Sequence, residues 1–113
     1  MTFDELVLAI SNSESLKQNM VNLEFLIRWK TSSDDAFRFV EKMDRFIVEQ
    51  KLDQNVLDEL LGYWHKFKNA SIDAIHGMTV NERLYQFGLF AKFENCKNEM
   101  EENRIYAKLM AKR

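Results

Sequence analysis

Apolar and polar positions alternate along the chain with a spacing of three and four, the period of an α-helix, and no stretch shows the strict two-residue alternation of a half-buried strand. Ala36, Phe39, Val40, Met43, Phe46 and Ile47 form one such stripe. Arg38, Glu41, Lys42, Arg45 and Glu49 occupy the other side of the same helix. Leu57, Leu60, Leu61, Trp64 and Phe67 form a second stripe. From about Glu14 to Lys30 the apolar positions (Leu16, Met20, Val21, Leu23, Phe25, Leu26, Ile27, Trp29) widen from a stripe to nearly all faces. A helix apolar all round is expected in the middle of a bundle, covered by its neighbours.

End signals divide these helices. Thr2-x-x-Glu5 is a capping box, in which the threonine oxygen accepts from the amide three residues on and the glutamate reaches back. It opens a helix to about Ile10. Thr31-Ser32-Ser33-Asp34-Asp35 supplies hydroxyl and carboxylate caps for a helix running to about Gln50, and Asp53 caps the next. Gly62 lies inside that helix at a cost of about 1 kcal/mol relative to alanine, which points to close helix packing. Past Asn69 the elements shorten. Ile72 and Ile75 suggest a short helix stopped by Gly77. Thr79-x-x-Glu82 is a second capping box, whose helix carries Val80, Leu84 and Phe87 inward and ends at Gly88. Leu89 to Lys97 resumes as a short piece. A polar stretch, Asn98 to Glu102, leads into a last helix ending in Lys108, Lys112 and Arg113, cations suited to a helix C-terminus. The expectation is an all-α protein, a compact bundle of six or seven helices forming one domain over residues 1–113.

Size agrees with that reading. A 13.5 kDa chain of 113 residues, 46% apolar with nine Phe and two Trp, holds enough apolar volume for one core. Surface scaling gives roughly 6,500 Å² folded against about 20,000 Å² unfolded. Disorder is excluded, and a net charge of −2 excludes a strongly basic nucleic-acid module. A single cysteine, Cys96, cannot form an internal disulfide and fits a reducing compartment. The acidic start Thr2-Phe3-Asp4-Glu5 lacks the basic region and apolar run of a secretory signal. No apolar stretch approaches the ~20 residues of a membrane span. A cytoplasmic, monomeric protein is expected; the second helix can be covered within the bundle and does not demand a dimer.

Candidate chemistry is sparse. His65 and His76 have no ligand partner at helical spacing, so no metal site is expected. Cys96 has no neighbouring His, although Lys92 and Lys97 suggest a slightly lowered thiol pKa. The carboxylates sit at helix starts or in pairs such as Glu24–Arg28 and Glu41–Arg45, the acidic residue first as i, i+4 pairing prefers. There is no phosphate loop, nucleophile elbow or zinc-protease motif. No catalytic residue or cofactor is therefore assigned, and an enzyme is not expected.

Charge is unevenly spread. Residues 1–61 carry seven Lys and Arg against twelve Asp and Glu; residues 62–113 carry nine against six. The acidic excess centres on the third and fourth helices. There Asp34, Asp35, Glu41, Asp58 and Glu59, with Tyr63 one turn after Glu59, form a candidate partner-binding face that attracts a basic protein by long-range steering. The opposite bias leaves a second reading open. A small regulatory or adaptor protein associated with nucleic acid would use Lys66, Lys68, Arg83, Lys92 and Lys97, although no helix carries the basic and amide residues that read base edges. A bundle whose aromatic residues line a ligand cavity is a third reading, but the stripes read as ordinary core.

The segment Ala74-Ile75-His76-Gly77-Met78-Thr79-Val80-Asn81-Glu82-Arg83-Leu84-Tyr85-Gln86-Phe87-Gly88-Leu89-Phe90 resembles a TVNERL…GL…F segment of small helical bacterial proteins paired with polymorphic toxins. Immunity proteins of contact-dependent growth inhibition systems are among them. In that pattern the capping box opens a short helix, the glycine ends it, and Leu89 with Phe93 starts the next piece. Residues 103–110 resemble the family's closing helix. Relatives are more acidic after the glycine, where this chain has Ala91-Lys92. The resemblance is structural and confined to the C-terminal third. It implies an all-α fold and a cytosolic immunity protein that binds and neutralises a cognate toxin domain, a nuclease in the expected case. The acidic face would then meet a basic substrate groove across roughly 800 Å² per partner.

Overall fold

The computed structural model describes residues 1–19 and 24–111. Among them are eight α-helices and no strand: α1 Phe3–Asn12, α2 Glu14–Gln18, α3 Glu24–Trp29, α4 Ala36–Glu49, α5 Gln54–Ser71, α6 Val80–Gln86, α7 Phe90–Glu94 and α8 Glu99–Lys108. A single 3₁₀ turn, Ile75–Gly77, precedes α6. The all-α expectation holds. The expected count of six or seven does not, because three of the eight helices are only five or six residues long.

The first break falls inside the segment read as one helix from Glu14 to Lys30. Ser13 ends α1 and also starts α2, its hydroxyl accepting from the Leu16 amide. Then α2 stops at Gln18, with Asn19 as its cap, and α3 is described from Glu24. Nor does this segment lie in the middle: Leu26 and Trp29 are buried, whereas Ile27 is 53% exposed and Glu24 and Arg28 face solvent. Met20, Val21 and Leu23 lie outside the described residues. Apolar content alone overestimated burial, because a short helix can present only one side to the core.

The central element is α5. It packs against α1, α2, α4 and α6, and Val56, Leu60, Trp64, Phe67 and Ser71 are buried along one side of it. Around it gathers an aromatic core. Phe3 lies 5.5 Å from Trp29 between ring centroids, Trp29 stacks on Phe39 at 4.8 Å, and Phe39 meets Trp64 edge-on at 5.7 Å. Phe67 and Phe87 close the group at 5.7 Å. Offset and edge contacts suit the ring quadrupole, and each buried indole finds an acceptor: Trp64 Nε1 donates to Asp44 at 2.7 Å and Trp29 Nε1 to the Asp34 carbonyl at 3.1 Å. Gly62 is on the exposed side of α5. A Cβ there would meet nothing within 4 Å, so the close helix packing expected at this glycine is absent.

Both capping boxes form as read, at Thr2–Glu5 and Thr79–Glu82. Gly88 ends α6 with φ +69°, the left-handed conformation that glycine adopts without penalty. The Leu89 amide reaches back to Leu84 and the Gly88 amide to Tyr85, satisfying carbonyls of the last turn. The polar stretch from Asn98 proves to be helix rather than a lead-in: Asn98 caps α8 through the Glu101 amide, and three glutamates fill its first turn. The molecule measures 45 × 26 × 21 Å, with an accessible surface of 7139 Å².

Candidate functional site

The six residues of the expected partner-binding face divide by what already holds them. Asp34 receives the Lys42 ammonium at 2.6 Å. Asp35 is the N-cap of α4, accepting from the Arg38 amide at 2.8 Å. Glu59 is tied to α2, accepting from the hydroxyls of Ser13 and Ser15, and Tyr63 adds a third donor at 3.2 Å. These donors favour the ionised carboxylate and hold Glu59 below the usual glutamate range. Partial burial, and then the nearby Glu59 charge, raise the Tyr63 phenol above its ordinary value. Glu41 and Asp58 stand exposed, Asp58 accepting from Gln54 one turn earlier. Of the two expected i, i+4 pairs, Glu24–Arg28 closes at 3.3 Å; Glu41–Arg45 forms no ion pair among the described residues.

The cations read as possible phosphate contacts are also partly used. Lys68 pairs with Asp44, and Arg83 donates to the carbonyls of Leu109 and Met110 at 3.0 and 2.7 Å, fastening the end of α8 to α6. Lys92 donates to the Lys30 carbonyl at 3.0 Å. His65 and His76 are exposed, and no three metal-ligating side chains come together among the described residues. Cys96 departs from expectation. Burial, then Glu101 and Glu102, push its thiol above the ordinary value, and Lys92 offsets this only in part.

A large concavity lies elsewhere, between the 30–35 loop, α7 and α8. This half-open groove of about 800 Å³ is lined by five cations and two carboxylates. At its inner edge Lys108, 7% exposed, sends its ammonium to the Ser32 carbonyl at 2.7 Å, the Asp34 carbonyl at 2.9 Å and the Ser32 hydroxyl at 3.3 Å. The same nitrogen sits 4.6 Å from the Trp29 ring centre. Burial is the chief cause of its lowered pKa, about 8; Lys92 lowers it further, while Asp34 and Asp35 oppose the shift. Carbonyl, hydroxyl and cation–π contacts thus tie α8 to Trp29 and the loop that follows it. Helix periodicity marks Lys108 as a C-terminal cation of α8, and nothing in the pattern joins it to a loop 76 residues earlier.

Comparison of the chain with known protein families, characterised proteins and solved structures finds no match.

Proposed function

We propose that the chain is a partner-binding protein that presents the α4–α5 hairpin to a basic protein, in the specific form of an immunity protein neutralising a cognate toxin domain in the cytosol. The observation that supports this reading is the hairpin's surface. Residues 34–61 carry eight carboxylates against four cations, a net charge of −4; Glu41, Glu49, Asp53 and Asp58 are exposed, interleaved with the exposed Arg38, Lys42, Arg45 and Lys51. Beneath that surface the hairpin is anchored by Phe39, Met43, Leu60 and Trp64, all buried. A rigid carboxylate surface loses little entropy on binding and steers a cationic partner. Asp34, Asp35 and Glu59 hold the fold, so they are support for the surface rather than its contacts.

The reading requires no chemistry, only occlusion of the partner's substrate groove. Co-expression in bacteria with the C-terminal toxin domain encoded immediately upstream tests it. Growth rescue together with a one-to-one complex is the expected result. Toxicity unrelieved by this chain would overturn the proposal. Within a confirmed complex, Glu41→Gln with Asp58→Asn is expected to slow association and flatten its salt dependence, since exposed charges act mainly on the encounter rate.

A further inference from the structure

The groove between the 30–35 loop, α7 and α8 has no part in that proposal. Its outer edge carries Lys92, Lys97 and Arg104, all exposed. Lys97 and Arg104 pair with no carboxylate among the described residues; the Arg104 guanidinium meets only the Met100 sulfur, at 3.7 Å. Lys92 spends one donor on the Lys30 carbonyl and keeps two. The two carboxylates that line the groove are both occupied by backbone amides: Asp35 by Arg38, and Glu101 by Lys97 at 2.7 Å. Inside the groove the surface turns apolar, with Ile105 buried and Cys96 half-buried.

We propose that this groove binds a small molecule with a phosphate or polyphosphate group and a flat apolar body, the phosphate held by Lys92, Lys97 and Arg104 and the body lying over Cys96 and Ile105. The size fits, since about 800 Å³ lies within the usual range of small-molecule sites. Concave walls focus the field of their cations on a ligand inside them. A nucleic-acid backbone needs instead a stripe of cations along an open surface. Here Lys68 and Arg83, which would extend such a stripe, are committed to Asp44 and to the end of α8.

ATP, inorganic pyrophosphate and adenosine are the probes, titrated by calorimetry into the intact chain at low ionic strength. Saturable one-to-one ATP binding is expected, tighter than pyrophosphate and at least about tenfold tighter than adenosine, as loss of charge-assisted hydrogen bonds implies. Lys97→Gln with Arg104→Gln is expected to weaken ATP by about tenfold or more. Arg38→Gln with Arg45→Gln removes the same charge from α4 and is expected to leave the affinity unchanged. Both pairs are exposed, so unaltered melting temperatures confirm that the fold is retained. ATP is also expected to slow alkylation of Cys96, the single thiol. An equal loss from both double variants would overturn the proposal by showing diffuse charge attraction. Absence of ATP saturation would overturn it, as would saturation by duplex RNA alone. ATP binding no tighter than pyrophosphate would overturn the apolar half of the site.

Discussion

The α4–α5 hairpin and the α7–α8 end of the molecule both reach the same core, the latter through Leu89, Ile105 and Leu109, yet they rely on directional bonds to different degrees. The hairpin consists of two helices of 14 and 18 residues whose stripes enter the aromatic core. At the other end, α7 has five residues and none of them is buried. That end is fastened by long side chains reaching backbone oxygens far away in sequence: Lys108 to Ser32 and Asp34, Lys92 to Lys30, and Arg83 to Leu109 and Met110. A long amphipathic helix finds its place by burying area. A short one has too little area and needs directional bonds instead. The charge follows the same division, with acid on the hairpin and base around the groove.

The sharpest way to break the hairpin is Trp64→Ala. It empties a fully buried site against Phe39 and Phe67 and leaves the Asp44 carboxylate without its indole donor. A loss of about 4 kcal/mol is expected by urea denaturation, with both ends of the molecule unfolding together because the aromatic core is shared.

At the other end, Lys108→Met keeps an apolar stem of similar length and removes only the nitrogen. Two carbonyls lose a donor, and an expected cost of about 2 kcal/mol follows. Its distinguishing signature is regional: hydrogen exchange should quicken at the Ser32 and Asp34 amides, while the α5 amides around Leu60 and Trp64 stay protected down to the global limit. Uniform acceleration would mean that the ammonium supports the whole fold rather than the loop.

This contrast also explains what could be read in advance. The stripes of α4 and α5, both capping boxes and the stop at Gly88 depend on residues within one or two turns of each other, and periodicity sees those. The break after Gln18 and the exposure of Ile27 depend on how much of a short helix its neighbours cover. The site residues divide in the same way. Asp35 as a cap was legible from Thr31-Ser32-Ser33-Asp34-Asp35. The hydroxyls of Ser13 and Ser15 on Glu59, and the Lys108 bonds across 74 and 76 residues, exist only once α2 meets α5 and α8 meets the loop. Cys96 was misread for a related reason: adjacent lysines in sequence mattered less than burial and the first turn of α8.

A pH series separates the Lys108 contribution from the rest. Its folded pKa, about 8, lies below the ordinary 10.5, so between those values the unfolded chain binds the additional proton. Stability contributed by this group therefore rises with pH across that window and is lost as pH falls through the folded value. Measured at pH steps from 8 to 10.5, the cost of Lys108→Met is expected to grow by up to about 1.4 kcal/mol per unit, because the variant lacks the titration. A cost that is flat with pH would show that the three oxygen acceptors hold the ammonium at its ordinary pKa.

The smallest expected effect is on the hairpin and has the opposite sign. Gly62 is helical, exposed and has open space where a Cβ would stand, so Gly62→Ala adds helix propensity without a clash. A gain of up to about 1 kcal/mol in unfolding free energy is expected, with no change in ATP affinity at the groove. If the gain is absent while binding of a basic partner weakens, the glycine is serving close approach of that partner to α5, and the exposed side of the helix joins the Glu41–Asp58 surface as interface. A stabilised protein with unchanged partner affinity would place the contact on the carboxylates alone, which is the outcome that the charge distribution of the hairpin implies.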